Sequence, residues 1–189
     1  MRRTHSVVLA ALIGLLLHGA AVAEAVRWTV DPARSTIQLE VDALGMTQAG
    51  QFGEWNGDIV FDPALPEGAR VNLAIEAASL QMGDSLVTAQ AKGEGFLDVA
   101  EFPRINVALI GLERVGENRY RARADVTCKG RTERVTFPVS VRVSGREVRI
   151  EGTASLDREA FGIGTESLRG LIIGRAVKVD VDITARTGA

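Results

Sequence analysis

The chain has 189 residues, of which 46% are hydrophobic, 24% charged and 5% aromatic, with one cysteine and two histidines. Both histidines, His5 and His18, stand in an N-terminal stretch with the marks of a secretion signal: Arg2 and Arg3, an apolar run from Val7 to Leu17, and the small-residue ending Ala21-Val22-Ala23. Without residues 1–23 there remain 166 residues carrying 20 Lys and Arg against 24 Asp and Glu, a net charge of −4 and no imidazole, which excludes Ser-His-Asp and Cys-His nucleophile systems and the usual zinc sites and leaves no basic stripe for nucleic acid.

The apolar run near the N-terminus is about half of the roughly 20 residues that a membrane-crossing helix needs. Residues 1–23 are therefore expected to be a cleaved signal peptide, the mature protein to begin at Glu24, and its location to be the bacterial periplasm. Residues 24–189 have a length that suits one domain with a sizeable core.

Along the mature chain the dominant pattern is strict alternation, the mark of half-buried strands. Ile37, Leu39 and Val41 alternate with Gln38 and Glu40, and Val71, Leu73, Ile75 and Ala77 alternate with Asn72, Ala74 and Glu76. From about Asp84 to Gly95 the alternation stops; a capping residue, helix-compatible side chains and closing glycines predict one short helix or irregular crossover. Tyr120, Ala122, Ala124, Val126 and Cys128 then share a face opposite Arg121, Arg123, Asp125, Thr127 and Lys129. Phe137, Val139, Val141 and Val143 follow, with Pro138 pointing to an edge or a bulge. Val148 and Ile150 come next, and the last strand sets Val177, Val179, Val181 and Ile183 against Lys178, Asp180, Asp182 and Thr184. Turn signals at Asp62-Pro63, Pro66-Glu67-Gly68, Val115 to Asn118 and Ser144-Gly145 are short enough to imply hairpins and a mainly antiparallel sheet.

Roughly eight such strands must hide their apolar face. Closing into a barrel does so while removing exposed edges; a two-sheet sandwich is the alternative. Lone Cys128 falls on the apolar face, where an inert thiol is expected; an intermolecular disulfide or a reactive thiol is the other reading. Asp157 and Glu159 share a strand face and form the closest-spaced carboxylate pair for a hydrolase mechanism, although a solvated face looks the same. Phe161-Gly162-Ile163-Gly164 lacks the third glycine and the βαβ setting of a dinucleotide fingerprint and reads as a bend. Arg121, Arg123, Arg142 and Arg149 fall on outward faces, where cross-strand pairing with Asp125 and Glu151 is expected.

Trp28 to Ser35, and then Phe52-Gly53-Glu54-Trp55 through Asp62, are similar to the opening segment and the second hairpin of the YceI-like family. Gly95-Phe96-Leu97-Asp98, Phe102-Pro103-Arg104-Ile105, Val126 to Thr132, Asp157-Arg158-Glu159-Ala160-Phe161-Gly162-Ile163 and Ile173 to Val177 resemble later segments in the family's order. The resemblance spans Val26 to Ala185. It implies an all-β, antiparallel, eight-stranded lipocalin-like barrel with one short helix in a crossover, binding long apolar molecules such as polyisoprenoids or isoprenoid quinones, without catalytic or metal-binding residues and without a cofactor. Arg34 and Gln90 stand where many members have histidine, so head-group contacts made through those rings are not carried over.

The implied lipid contacts are Phe52, Trp55, Phe61, Phe96, Phe102 and Phe161, with Ala122 and Ala124 leaving room; the same aromatics could instead fill a solid core. Arg34, Lys92, Arg158 and Arg175 are available as donors to a polar head. The expected function is a carrier, store or sensor of an apolar lipid, with a membrane or membrane protein, or a second copy of the chain, as open partners. The alternatives are a structural or interaction β-sandwich acting through its outer face, and a carboxylate-dependent hydrolase.

Overall fold

The computed structural model describes residues 26–43, 45–165 and 172–188; the expected signal peptide and its cleavage point lie outside them. The strands are β1 (Arg27–Val30), β2 (Thr36–Ala43), β3 (Met46–Phe52), β4 (Trp55–Val60), β5 (Arg70–Glu76), β6 (Leu80–Met82), β7 (Arg104–Gly116), β8 (Arg119–Cys128), β9 (Arg131–Ser144), β10 (Glu147–Asp157) and β11 (Ile173–Thr187), with helix α1 (Ser85–Lys92) between β6 and β7.

The first six segments are three long strands, each broken once. A single 3₁₀ turn begun by Pro32 separates β1 from β2, Gly53-Glu54 separates β3 from β4, and a turn over Ala77–Ser79 separates β5 from β6. Pairing follows the halves: β2 lies on β3 while β1 lies on β4, and β3 lies on β6 while β4 lies on β5. With β7 to β11 these make eight antiparallel strands in a ring, closed where β11 meets β1 at Val30↔Ala185 and β2 at Thr36↔Asp182. The architecture is thus a barrel, and the sandwich alternative falls away.

Alternation decides which side chains enter the ring. On β8, Tyr120, Ala122, Ala124, Val126 and Cys128 are buried, whereas Arg121 and Arg123 face out. The turn from β8 to β9 is two residues long, Lys129 and Gly130, with φ of 48° and 71°. Positive φ at both places is what a hairpin turn matched to strand twist requires. At Gly130 the requirement is also steric, because a Cβ there would lie 3.0 Å from the Phe102 ring.

Pro138 marks an edge, as its missing N–H demands. The β9–β10 ladder runs from Ser144↔Glu147 to Val139↔Gly152 and stops, so Pro138 is the first β9 residue without a β10 partner. From there β9 is held by β8, and the turn after β10 reaches across to it through Arg131, whose guanidinium donates to the Ala160 carbonyl at 3.3 Å.

The two ends of the barrel are closed differently. At one end the indole N–H of Trp28 donates to the Phe61 carbonyl at 2.9 Å, and the Phe61 ring stands edge-on to Tyr120, 6.0 Å between centroids at 89°. Arg114 lies 5.0 Å over the Tyr120 ring and also donates to the Pro63 carbonyl, which holds the loop after β4 over this floor. The other end is roofed by α1. Asp84 caps that helix by accepting from the Leu86 and Val87 N–H groups at 2.8 and 3.1 Å. Thr88 ties the helix to β6, its hydroxyl donating to the Asp84 carbonyl at 2.8 Å and accepting from the Met82 N–H at 2.9 Å.

Cross-strand ion pairs cover the outer face. Glu151 takes Arg142 from β9 and Arg149 from two residues earlier on its own strand, and Arg149 also grips Asp182 of β11 at 2.7 Å. Asp125, however, pairs with Arg134 at 2.9 Å rather than with the arginines expected for it, and Arg121 pairs with Glu113 at 3.0 Å.

The floor depends on a buried hydrogen bond that only an indole can supply. Trp28→Phe leaves the Phe61 carbonyl without its donor and is expected to cost about 1–3 kcal/mol. Thermal unfolding of the delipidated protein should show this as a Tm lower by several degrees, and an unchanged Tm would mean that the bond carries no stability.

Candidate functional site

The inward side chains do not fill the ring. They leave an interior cavity of about 570 Å³, inside the roughly 300–1,000 Å³ range of small-molecule sites. Part of the reason lies in β8, where Ala122 and Ala124 occupy successive inward places that Leu or Phe would fill. At Gly50 on β3 the room of the missing Cβ is instead taken up by the sulfur of Met82, itself a lining residue.

The wall is apolar almost throughout. Among the described lining residues, Gln48, Gln90 and Arg158 alone carry oxygen or nitrogen in their side chains. All three belong to the roofed end: Gln48 is the third residue of β3, Gln90 sits on α1, and Arg158 directly follows β10. The opposite end is lined by Phe61, Ala122, Val139, Val141 and Ile183. The cavity is therefore polarised along the barrel axis, with its hydrogen-bonding groups at one end.

Arg158 continues the alternation of β10 onto the inner face and is only 4% exposed. Its Nε donates to the Gly174 carbonyl at 3.0 Å, and its two terminal nitrogens donate to the Ile163 and Ile173 carbonyls at 2.7 and 2.8 Å. Glu159 lies 3.4 Å away as a charged neighbour. A buried guanidinium needs such acceptors to offset its lost hydration. Here they come from the turn after β10 and the start of β11, so one side chain both fastens that turn and borders the cavity.

Of the residues implicated from sequence, Phe52, Phe61, Phe96, Ala122, Ala124 and Phe161 line the cavity. Trp55 and Phe102 do not. Trp55 is half-buried and packs between the two hydrophobic clusters of the core, one near each end of the barrel. Phe102 lies against the β8–β9 turn, where its ring meets Gly130. Sequence reasoning passed over Phe137 and Met82 as cavity residues, although Phe137 belonged to a recognised inward series.

Among the four basic residues considered for a polar head, Arg158 borders the cavity and the others do not. Arg34 is held by Glu147 at 2.6 and 3.0 Å. Arg175 clamps Asp157 through two nitrogens at 2.8 and 2.6 Å and reaches Glu159 at 3.7 Å. Lys92 ends α1 outside the lining.

The titratable groups are poorly suited to chemistry. The hydrogen bond from Arg175 holds the Asp157 carboxyl below its ordinary range, the reverse of what a general acid needs, and neither Asp157 nor Glu159 lines the cavity. Cys128 does line it, but burial pushes its thiol up to about 11 against the opposing pull of Lys129. It stays protonated at neutral pH, which makes it a poor nucleophile. Among the described residues no group of three His, Cys, Asp or Glu converges as a metal site.

Comparison with known proteins agrees with this geometry. The sequence pattern of the YceI-like domain matches residues 28–185. A UPF0312 protein of Pseudomonas savastanoi is 27% identical over 165 residues, covering 82% of this chain and 86% of its own. A UPF0312 protein of Shewanella putrefaciens is 26% identical over 168 residues with the same coverage. Among solved structures, BcnA of Burkholderia cenocepacia superposes with a TM-score of 0.78 at 26% identity, covering 82% of this chain and 98% of that one. A polyisoprenoid binding domain from Saccharophagus degradans, implicated in plant cell wall breakdown, superposes with a TM-score of 0.68 at 15% identity, covering 87% and 99%; at that identity the likeness concerns the fold.

The outer ion pairs give the barrel a definite acid response. Hydrogen bonds from Arg134, Arg34, Arg175 and Lys178 lower the carboxyls of Asp125, Glu147, Asp157 and Asp180 respectively. A carboxyl lowered by folding contributes stability above its unfolded pKa, about 3.9–4.3 for these residues, and that contribution is lost as pH falls through the lower folded value. Denaturant midpoints should thus be level from about pH 7 to 5 and drop below about pH 4. In Arg175→Gln the drop should be shallower, and an identical pH profile would show that the Asp157 clamp is energetically silent.

Proposed function

This chain belongs to the YceI-like domain family, and from that premise we propose that it is a non-catalytic binding protein holding a long apolar lipid, a polyisoprenoid or an isoprenoid quinone, inside its barrel. The observation that carries the reading is the cavity of about 570 Å³ with an apolar wall and hydrogen-bonding groups confined to its roofed end. Such a space matches a molecule with a long hydrocarbon chain and a small polar head. Each CH₂ transferred from water into it is worth about 0.8 kcal/mol, so a few isoprene units bind firmly without any strong polar contact.

The polyisoprenoid binding described for the Saccharophagus degradans domain supports the same ligand class. Binding rather than catalysis fits the lack of imidazole after residue 23, the protonated Cys128 thiol and the Arg175-clamped Asp157. The leader sequence supports a periplasmic site of action, where a lipid must cross water between membranes. There the protein serves as carrier, store or sensor, and a membrane or membrane protein is the partner that loads and unloads it.

Ala124 tests whether the interior space is a ligand site. In a solid core a Trp at this inward position would overpack, at about 1–3 kcal/mol. In the proposed site Ala124→Trp projects into the lipid's space, so lipid retention is lost while the delipidated variant unfolds within about 1 kcal/mol of the delipidated parent. Native mass spectrometry of gently extracted protein reads the first effect and denaturation the second. Delipidated samples are needed because bound lipid itself adds stability by mass action. A variant that keeps its lipid, or that is severely destabilised without it, contradicts the assignment.

A further inference from the structure

At the end opposite the helix, the cavity is bounded by side chains of identifiable composition. Of the buried cluster at the floor end, Phe61, Ala122 and Ile183 are among those that face the cavity, whereas Trp28, Tyr120, Val148 and Ala185 belong to the same cluster but do not reach it. Tyr120 lies two residues below Ala122, Val148 two below Ile150 and Ala185 two beyond Ile183, so each is the next inward side chain on its strand. Trp28 is the cross-strand partner of Ile59. On these strands the boundary between empty and filled space falls between one inward side chain and the next. Phe61 is the large ring on its cavity side, braced edge-on by Tyr120 and fixed through its carbonyl by Trp28.

From this we infer that the floor is a length gauge: Phe61, backed by Tyr120 and Trp28, sets how long an apolar chain the barrel can bury. The inference rests on the lipid-binding reading above and adds a determinant to it. A chain gains affinity with every isoprene unit that enters, because each removes more hydrocarbon from water. Once its tail meets Phe61, further units stay outside the apolar wall and add nothing. Affinity plotted against chain length should rise and then break to a plateau, and the break marks the distance from roof to floor.

Two substitutions move the stop in opposite directions. Phe61→Ala removes the ring but keeps the carbonyl that accepts from Trp28, and so deepens the cavity. Ala122→Leu fills the space directly above Tyr120 and raises the floor; it adds methyl groups to a void, so it tests the gauge even where loss of the Phe61 ring prevents folding. Delipidated parent and variants are titrated with all-trans prenols in a series from farnesol through geranylgeraniol to solanesol, with binding read by native mass spectrometry. The expected result is a break at longer chains in Phe61→Ala, with about tenfold or more tighter binding than the parent at the first length beyond the parent's break. In Ala122→Leu the break should come at shorter chains. Breaks at the same length in the parent and in every folded variant overturn the gauge while leaving lipid binding intact. A parent that binds no prenol of any length overturns the lipid-binding reading, and the gauge with it.

Discussion

Ring closure of eight alternating strands is the constraint on which the rest of this protein depends. Once β11 pairs with β1 and β2, the circumference is set by strand number and no longer by what the side chains need. At eight strands the interior is just wide enough either to be filled by large side chains or to hold a small ligand. Side-chain size then decides between the two outcomes, level by level along the axis. Near the floor Trp28, Phe61 and Tyr120 fill the ring; higher up Ala122, Ala124 and Ala154 cannot, and the space remains.

The same closure explains where polar chemistry is allowed. Inside the ring the backbone groups are spent on the ladders, so an interior polar side chain must find partners at an end. Gln48, Gln90 and Arg158 all lie at the roofed end, and for Arg158 the turn after β10 and the start of β11 supply the acceptors. Arg158 is the extreme case, a buried cation whose hydration is replaced by the carbonyls of Ile163, Ile173 and Gly174. The charges that need water are placed on the outer face, where Arg175, Arg149 and Arg134 hold acidic partners away from the cavity. Apolar capacity inside and acid-sensitive ion pairing outside are two results of one alternation.

Much of this was readable from residues alone because a period of two leaves so little freedom. Tyr120 to Cys128 and Val177 to Ile183 could point only one way once one member of each series was buried, and Pro138 announced an edge through its missing N–H. The breaks within the long strands were harder to read. Pro32, Gly53-Glu54 and the turn at Ala77–Ser79 interrupt strands whose two halves pair with different neighbours, and that exchange is a property of the closed ring, which no local pattern encodes. Of the aromatics named as lipid contacts, Phe52, Phe61, Phe96 and Phe161 face the cavity and Trp55 and Phe102 do not, because a ring beside a turn and a ring between two clusters have the same local sequence character as one facing the void. Arg158 was named only as one of four donors available to a polar head; its role in fastening the chain depends on carbonyls fifteen and sixteen residues away.

The central claim is that the space inside the ring, and not the outer face, receives the lipid. Methyl NMR of the delipidated protein titrated with geranylgeraniol addresses it residue by residue. The account predicts that the methyl signals of Leu39, Val107, Val139 and Val179, which line the cavity, shift or broaden together on saturation, while those of the exposed Leu65 and Val115 stay in place. Movement confined to Leu65, Val115 and other outer methyls, with the interior signals unchanged at saturation, would contradict it.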